Sequence, residues 1–162
     1  MRARRCCGTS TEPVRDRSKR RKAPTLGGDV AGDVKQHYLA ADAFSAHDRD
    51  GFLAITDPGI KLISRHLALE GNGHLRGHAA VRGWWETLLS VYPDFTSQIE
   101  DVRDLGDVTI GRQHFRGQGI GSQADMEQES WQVTKWRDNK AVWWRSCLTE
   151  ADALSEAAGL QT

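Results

Sequence analysis

The sequence predicts an α+β fold, with helices packed on one face of a curved, mostly antiparallel sheet. Three observations carry this reading. Up to Tyr92 the apolar residues recur mainly at helical spacing. From Thr96 onward the chain is strand-like almost to its end. The strand-like runs are separated by the short turns Leu105-Gly106-Asp107 and Arg137-Asp138-Asn139-Lys140.

Between Asp33 and Thr56, Val34, Tyr38, Leu39 and Ala41 to Phe44 mark one helix, and Phe52, Leu53 and Ile55 mark a second, shorter one. The HDRDG between them is a break, with Asp48 or Asp50 placed to cap the second helix. Asp57-Pro58-Gly59 is expected to close that helix and turn the chain. Ile60–Leu69 alternates as a strand, with Ile60, Leu62, Ser64 and His66 on one face. EGNGHLRGH is turn chemistry, and Ala79–Tyr92 is a helix ended by Pro93. Two adjacent tryptophans, Trp84 and Trp85, are not expected to face inward together: one belongs to the core or pocket, the other to a partner subunit. Strands then follow at Thr96–Leu105, Val108–Arg116, Asp125–Arg137 and Ala141–Leu148, and Ala151–Ala158 is a terminal helix closed by Gly159.

The 162 residues suffice for one domain with a proper core. Twenty-two basic and 22 acidic residues cancel, so the molecule as a whole has no bulk attraction to nucleic acid or membranes. The basic residues concentrate at the start. Residues 2–22 hold nine Arg or Lys against Glu12 and Asp16. Residues 1–29 contain almost no large apolar side chain and are expected to form a disordered arm ahead of a domain spanning 30–162. An alternative is that translation begins at Val30 or Val34. The run Lys19–Lys22 is read as solvated, so nucleic-acid binding is not expected. Adjacent Cys6 and Cys7 with a distant Cys147 do not form a secreted disulfide framework, which suits a cytoplasmic setting. No CxxC or HExxH spacing occurs, so no zinc site of those types is expected. No apolar run approaches the ~20 residues of a membrane span.

An ordered set of motifs between residues 33 and 160 resembles the SnoaL-like branch of the NTF2-like superfamily. The motifs are Asp50-Gly51-Phe52-Leu53 with Asp57-Pro58, RGHAAVRGWW, YPDF, LGD, GQGIGSQ, RDNK and LTEADALSEAAGL. The resemblance implies an NTF2-like cone: a curved sheet wrapped around three N-terminal helices, with an apolar cavity at its open end. It further implies a homodimer through the outer sheet face and an apolar small-molecule ligand. Where the relatives are enzymes, they perform cyclase- or isomerase-type proton transfer without metal or organic cofactor. The alternative within the fold is a non-catalytic binding or dimerisation module. In this reading His74 and His78 are architectural, not metal ligands.

The relatives' acidic groups are not matched. The first strand has Leu62 and Ile63 where isomerases carry a base, and AVWWRSCL offers no acid on the last strand. With the family's apolar positions setting the phase, His66 shares the inward face with Leu62, where it is either the candidate general base or acid or a hydrogen-bonded histidine near the strand end. Gln113 and Gln132 then orient a carbonyl, or bond each other or water. The expected pocket comprises Tyr38, Leu62, Trp85, Phe95, Gln113, Gln132, Trp144 and Ser146. Gln128, Ser130 and Gln132 alternate in phase with Trp136, whereas the opposite phase puts Trp131 and Val133 inside. Arg112 and His114 are assigned to the other face, where Arg112 or Arg116 faces the stripe Asp125, Glu127 and Glu129. Trp143 and Trp144 point to opposite faces, and Cys147 is a packed thiol.

Overall fold

The computed structural model describes residues 32–64, 73–121 and 125–161. In the first helix, α1 (Gly32–Ser45), the buried positions are Val34, His37, Ala41 and Phe44, a spacing that presents one face to the sheet. Asp48 caps α2 (Arg49–Ala54), its carboxylate accepting from the Gly51 N–H at 2.9 Å. The chain then enters β1 (Thr56–Ile63). Asp57-Pro58-Gly59 therefore lies inside a strand and not in a turn after the helix. It fits there because the pairing of β1 is irregular between Thr56 and Lys61, which is where a proline is tolerated.

A short strand absent from the sequence reading, β2 (His74–Arg76), pairs antiparallel with β1 and leads into α3 (Gly77–Val91). Next come β3 (Thr96–Asp104), β4 (Val108–Gln118), β5 (Asp125–Arg137) and β6 (Lys140–Cys147), then α4 (Glu150–Leu160). The sheet order is β2-β1-β6-β5-β4-β3, antiparallel except for the β1–β6 pair. The hairpin between β5 and β6 turns on Asp138 and Asn139, both at positive φ (52° and 57°), the conformation that suits the twist of a two-residue hairpin. α4 continues through Gly159 and ends at Gln161, so that glycine is a helical residue here and not its stop signal.

Two cores flank the sheet. On the inner side, α1, α2 and α3 bury Phe44, Phe52, Val81, Trp84, Trp85 and Leu88 against Ile60, Leu62, Phe95, Phe115 and Trp136. Phe44 is the hub: its ring centroid lies 4.3 Å from Trp85, 5.1 Å from Phe52, 5.5 Å from Phe95 and 5.6 Å from Trp84. Both Trp84 and Trp85 are buried, contrary to expectation. Trp84 packs toward Trp144 and Trp85 against Phe52, because α3 has sheet on one side and the other helices beside it. On the outer side, Ala153 and Ala157 of α4 cover Val108, Ile110, Val133 and Cys147, with Trp131 and Trp143 at the edge.

The helices are also pinned by polar contacts. Ser45 Oγ donates to the Ser97 carbonyl and accepts from its N–H at 3.0 Å. His47 Nε2 donates to the Phe95 carbonyl at 2.7 Å. At the foot of α3, His78 Nε2 donates toward Thr56 Oγ1 at 3.0 Å, while that hydroxyl donates to the Leu53 carbonyl. His78 is thus a structural clamp, and His74 is exposed on β2.

Candidate functional site

The register β4–β5–β6 fixes which side chains face the helices. Thr109 pairs with Thr134 and Thr134 with Trp144; Gly111 pairs with Gln132 and Gln132 with Ser146; Gln113 pairs with Ser130. These residues share the inner face, as the phase that groups Gln132 with Trp136 requires. Trp131 and Val133 face outward. Between this face and the helices lies an apolar cavity of about 30 Å³. Its walls include Phe44, Phe52, Phe115, Trp136 and Trp144, and its polar lining comes from His37, Thr56, Ser97, Gln113 and Thr134.

Among the described residues, His37 is the one ionisable side chain on that wall. It sits on the buried face of α1, 2 % exposed, over Thr109 and Gly111 of β4. Its Nδ1 lies 2.8 Å from Thr109 Oγ1, which also accepts the Trp136 indole N–H at 2.8 Å. Its Nε2 is buried and has no hydrogen-bond partner among the described residues. Burial without a counter-charge pushes the imidazole pKa down to about 4, so the ring is neutral at pH 7. An unsatisfied buried nitrogen is costly to keep unless something binds it. No sequence signal singled out His37. A histidine interrupts the hydropathic stripe, and its neighbour Tyr38 took the place in the reading.

The expected pocket residues divide into four groups. Gln113 and Trp144 stand on the cavity wall. Leu62, Trp85 and Phe95 are packed within the inner core. Gln132 and Ser146 are buried in a closed chain: Ser146 Oγ donates to Gln132 Oε1 at 3.1 Å, and Gln132 Nε2 donates to Ser130 Oγ at 2.9 Å. That glutamine is satisfied by the sheet itself. Tyr38 is half-buried and off the cavity, its phenol pKa raised by desolvation and by Asp101. Helical geometry explains this, since one residue turns the side chain by about 100° from the face that His37 occupies. His66 lies outside the described residues.

On the outer face, Arg112 bonds Glu129 at 2.6 Å and reaches Glu100 at 3.2 Å, while Arg116 bonds Glu127 at 2.9 Å. His114 approaches Glu129 at 3.2 Å. The Arg112 hydrogen bond holds the Glu129 carboxyl below its ordinary pKa. Glu100, His114 and Glu129 place one ligand atom each within 4.8 Å of one another. The guanidinium of Arg112 already supplies the positive charge at that spot, so the group forms an ion-pair ladder. Among the described residues no helix is long and apolar enough to cross a membrane.

Comparison with known proteins agrees with this geometry. No curated protein sequence matches the chain. Among solved structures, an NTF2-like protein of unknown function from Burkholderia pseudomallei K96243 superposes with a TM-score of 0.67 at 13% identity, covering 78% of this chain and 97% of that one. IdmH, a candidate polyketide cyclase from Streptomyces antibioticus, gives 0.63 at 18% identity, covering 78% and 98%. A SnoaL-like candidate polyketide cyclase from Jannaschia sp. CCS1 gives 0.61 at 19%, covering 81% and 96%. At such identities the likeness is one of fold, the NTF2-like cone. The sequence itself matches the model of the SnoaL-like domain over residues 35–144. From the helix that carries His37 to the strand that carries Trp144, this chain belongs to the SnoaL-like family.

Proposed function

We propose that this protein is a cyclase- or isomerase-type enzyme acting on an uncharged, apolar, carbonyl-bearing or polycyclic small molecule. The observation that supports it most is His37, the one ionisable side chain on a mainly apolar cavity wall among the described residues, whose buried Nε2 has no partner among them. A charged ligand group would lose its hydration there without finding an opposite charge. A neutral ring system loses nothing and gains the aromatic walls. His37 engages the reacting carbonyl, with Gln113 beside it. His66 remains the proposed residue for moving the proton. The chemistry is proposed to run on the chain's own side chains, without metal or organic cofactor, in a cytoplasmic homodimer.

A cavity of about 30 Å³ has room for water but not for a ring. Substrate entry in this reading therefore parts the aromatic walls, Phe44 and Trp144 among them. The closed form, together with the self-satisfied Gln132–Ser130–Ser146 chain, favours one competing reading, a non-catalytic binding module. The two are separated by proton exchange in deuterated water, using a panel of aryl ketones and cyclic β-diketones followed by NMR. The enzyme reading expects catalysed exchange α to the carbonyl that falls at least tenfold in His37→Phe and in His66→Ala, with His66→Ala retaining affinity. Binding without catalysed exchange supports the module. Exchange unaffected by either substitution refutes the assigned roles.

A further inference from the structure

The three polar groups at the base of α1 form a chain whose direction is set by donor chemistry. An indole nitrogen only donates, so the Trp136 N–H at 2.8 Å occupies one lone pair of Thr109 Oγ1. The Thr109 hydroxyl retains one proton to give. His37 Nδ1 lies 2.8 Å from that oxygen. Both groups are buried, Thr109 completely. Donation from Thr109 to Nδ1 satisfies the hydroxyl and leaves Nδ1 without a hydrogen. A neutral imidazole then carries its proton on the other nitrogen, the buried Nε2, which has no partner among the described residues, in a ring that lines the cavity. The reverse arrangement, Nδ1–H donating to Thr109, leaves the hydroxyl proton without the acceptor it has here.

We infer that Trp136 and Thr109 are positioning residues that hold the His37 imidazole with its proton on Nε2, so that the cavity offers a hydrogen-bond donor and selects a ligand by an acceptor oxygen such as a ketone carbonyl. The inference rests on His37 being the polar pole of the proposed ligand site, and it deepens that reading. His37 polarises a carbonyl as a donor and does not itself remove the substrate proton. Gly111 belongs to the same device, because the ring can lie across β4 only where no Cβ intervenes. The cost of keeping an N–H buried and unbonded is recovered when an acceptor arrives. A ligand lacking that oxygen leaves the donor orphaned, so discrimination between them is strong.

The test reads the tautomer directly in the full chain. Histidine-selective ¹⁵N labelling with long-range ¹H–¹⁵N correlation at pH 7 distinguishes Nδ1–H from Nε2–H, and the signal lost in His37→Gln assigns the ring. The expected result is a single Nε2–H form in the wild-type protein, a shift toward Nδ1–H in Thr109→Val, and return of the wild-type pattern in Thr109→Ser. Trp136→Phe, which removes the donor orienting the hydroxyl, should also raise the Nδ1–H fraction and serves if Thr109→Val does not fold. Wild-type His37 in the Nδ1–H form overturns the inference, as does an Nε2–H form unchanged by both Thr109→Val and Trp136→Phe. Acetophenone should then move the Nε2–H resonance and bind at least about tenfold more tightly than ethylbenzene, a margin lost in His37→Phe. If the tautomer is as stated but acetophenone leaves that resonance in place, the ligand-site reading of His37 fails while the positioning chain stands.

Discussion

Gly111 lies directly beneath the imidazole of His37: a Cβ built on it would stand 2.5 Å from Nε2 and 2.8 Å from Cε1. The site therefore depends on a missing methyl group in β4. Gly111→Ala should force the ring off its bond to Thr109 or push α1 from the sheet, costing about 1–3 kcal/mol as an overpacking substitution. Urea unfolding measures the cost. A variant as stable as wild type, with the His37 imidazole signals unmoved, would contradict this contact.

A second expectation concerns pH. The folded pKa of His37, about 4, lies below the ordinary 6.5, so on acidification the unfolded chain takes up this proton first. The contribution of His37 to stability is complete above pH 6.5 and declines between 6.5 and 4. Below that the loss levels off at about 3 kcal/mol. Chemical unfolding at a series of pH values should show this slope in the wild-type protein and a shallower one in His37→Gln.

Phe44 joins α1 to both other inner helices and to Phe95, at the entry to β3, through four ring contacts. Phe44→Ala should lower stability by about 3–5 kcal/mol and enlarge the adjoining cavity. Phe44→Leu, which keeps most of the volume, should cost less than half as much. Equal losses for the two would mean that ring geometry, not filled space, holds this junction.

The turn at Asp138 and Asn139 asks for left-handed backbone at both positions, which asparagine tolerates and alanine does not. Asn139→Ala should cost about 1 kcal/mol in thermal or chemical unfolding, whereas Asn139→Gly should be close to neutral. The reverse ranking would indicate that the side chain of Asn139, which lies beside Gly32, matters more than its backbone.

Most of the architecture could be read from residue patterns, and the exceptions have physical causes. Of the two phases left open for β5, the structure has the one that groups Gln128, Ser130 and Gln132 with Trp136. The ladder is regular until the irregularity between Lys135 and Trp136, so little disturbed the period. The outward charges were legible for the same reason, Arg112 and Arg116 meeting Glu129 and Glu127 in register or beside it. Trp84 and Trp85 were misread because a two-sided environment for α3 is a tertiary property that its own period does not contain. β2 was missed because three residues, His-Leu-Arg, carry too little pattern to separate from a turn. His37 was missed because hydropathy ranks a buried histidine with the surface. What identifies it is a glycine seventy-four positions later on β4, together with a threonine on that same strand and a tryptophan on β5.

The parallel pairing of β1 with β6 sets an order for biosynthesis. Leu62 has Trp144 as its neighbour in the sheet, so a strand made early in translation waits for one made almost last. The antiparallel hairpins β3–β4 and β5–β6 can form as they leave the ribosome, and α3 can pack on β1, but the edge of β1 that pairs with β6 stays open until the C-terminal strand arrives. A chain stopped before residue 140 would leave that strand edge unpaired permanently, which makes premature termination a route to aggregation and quality-control clearance for this protein.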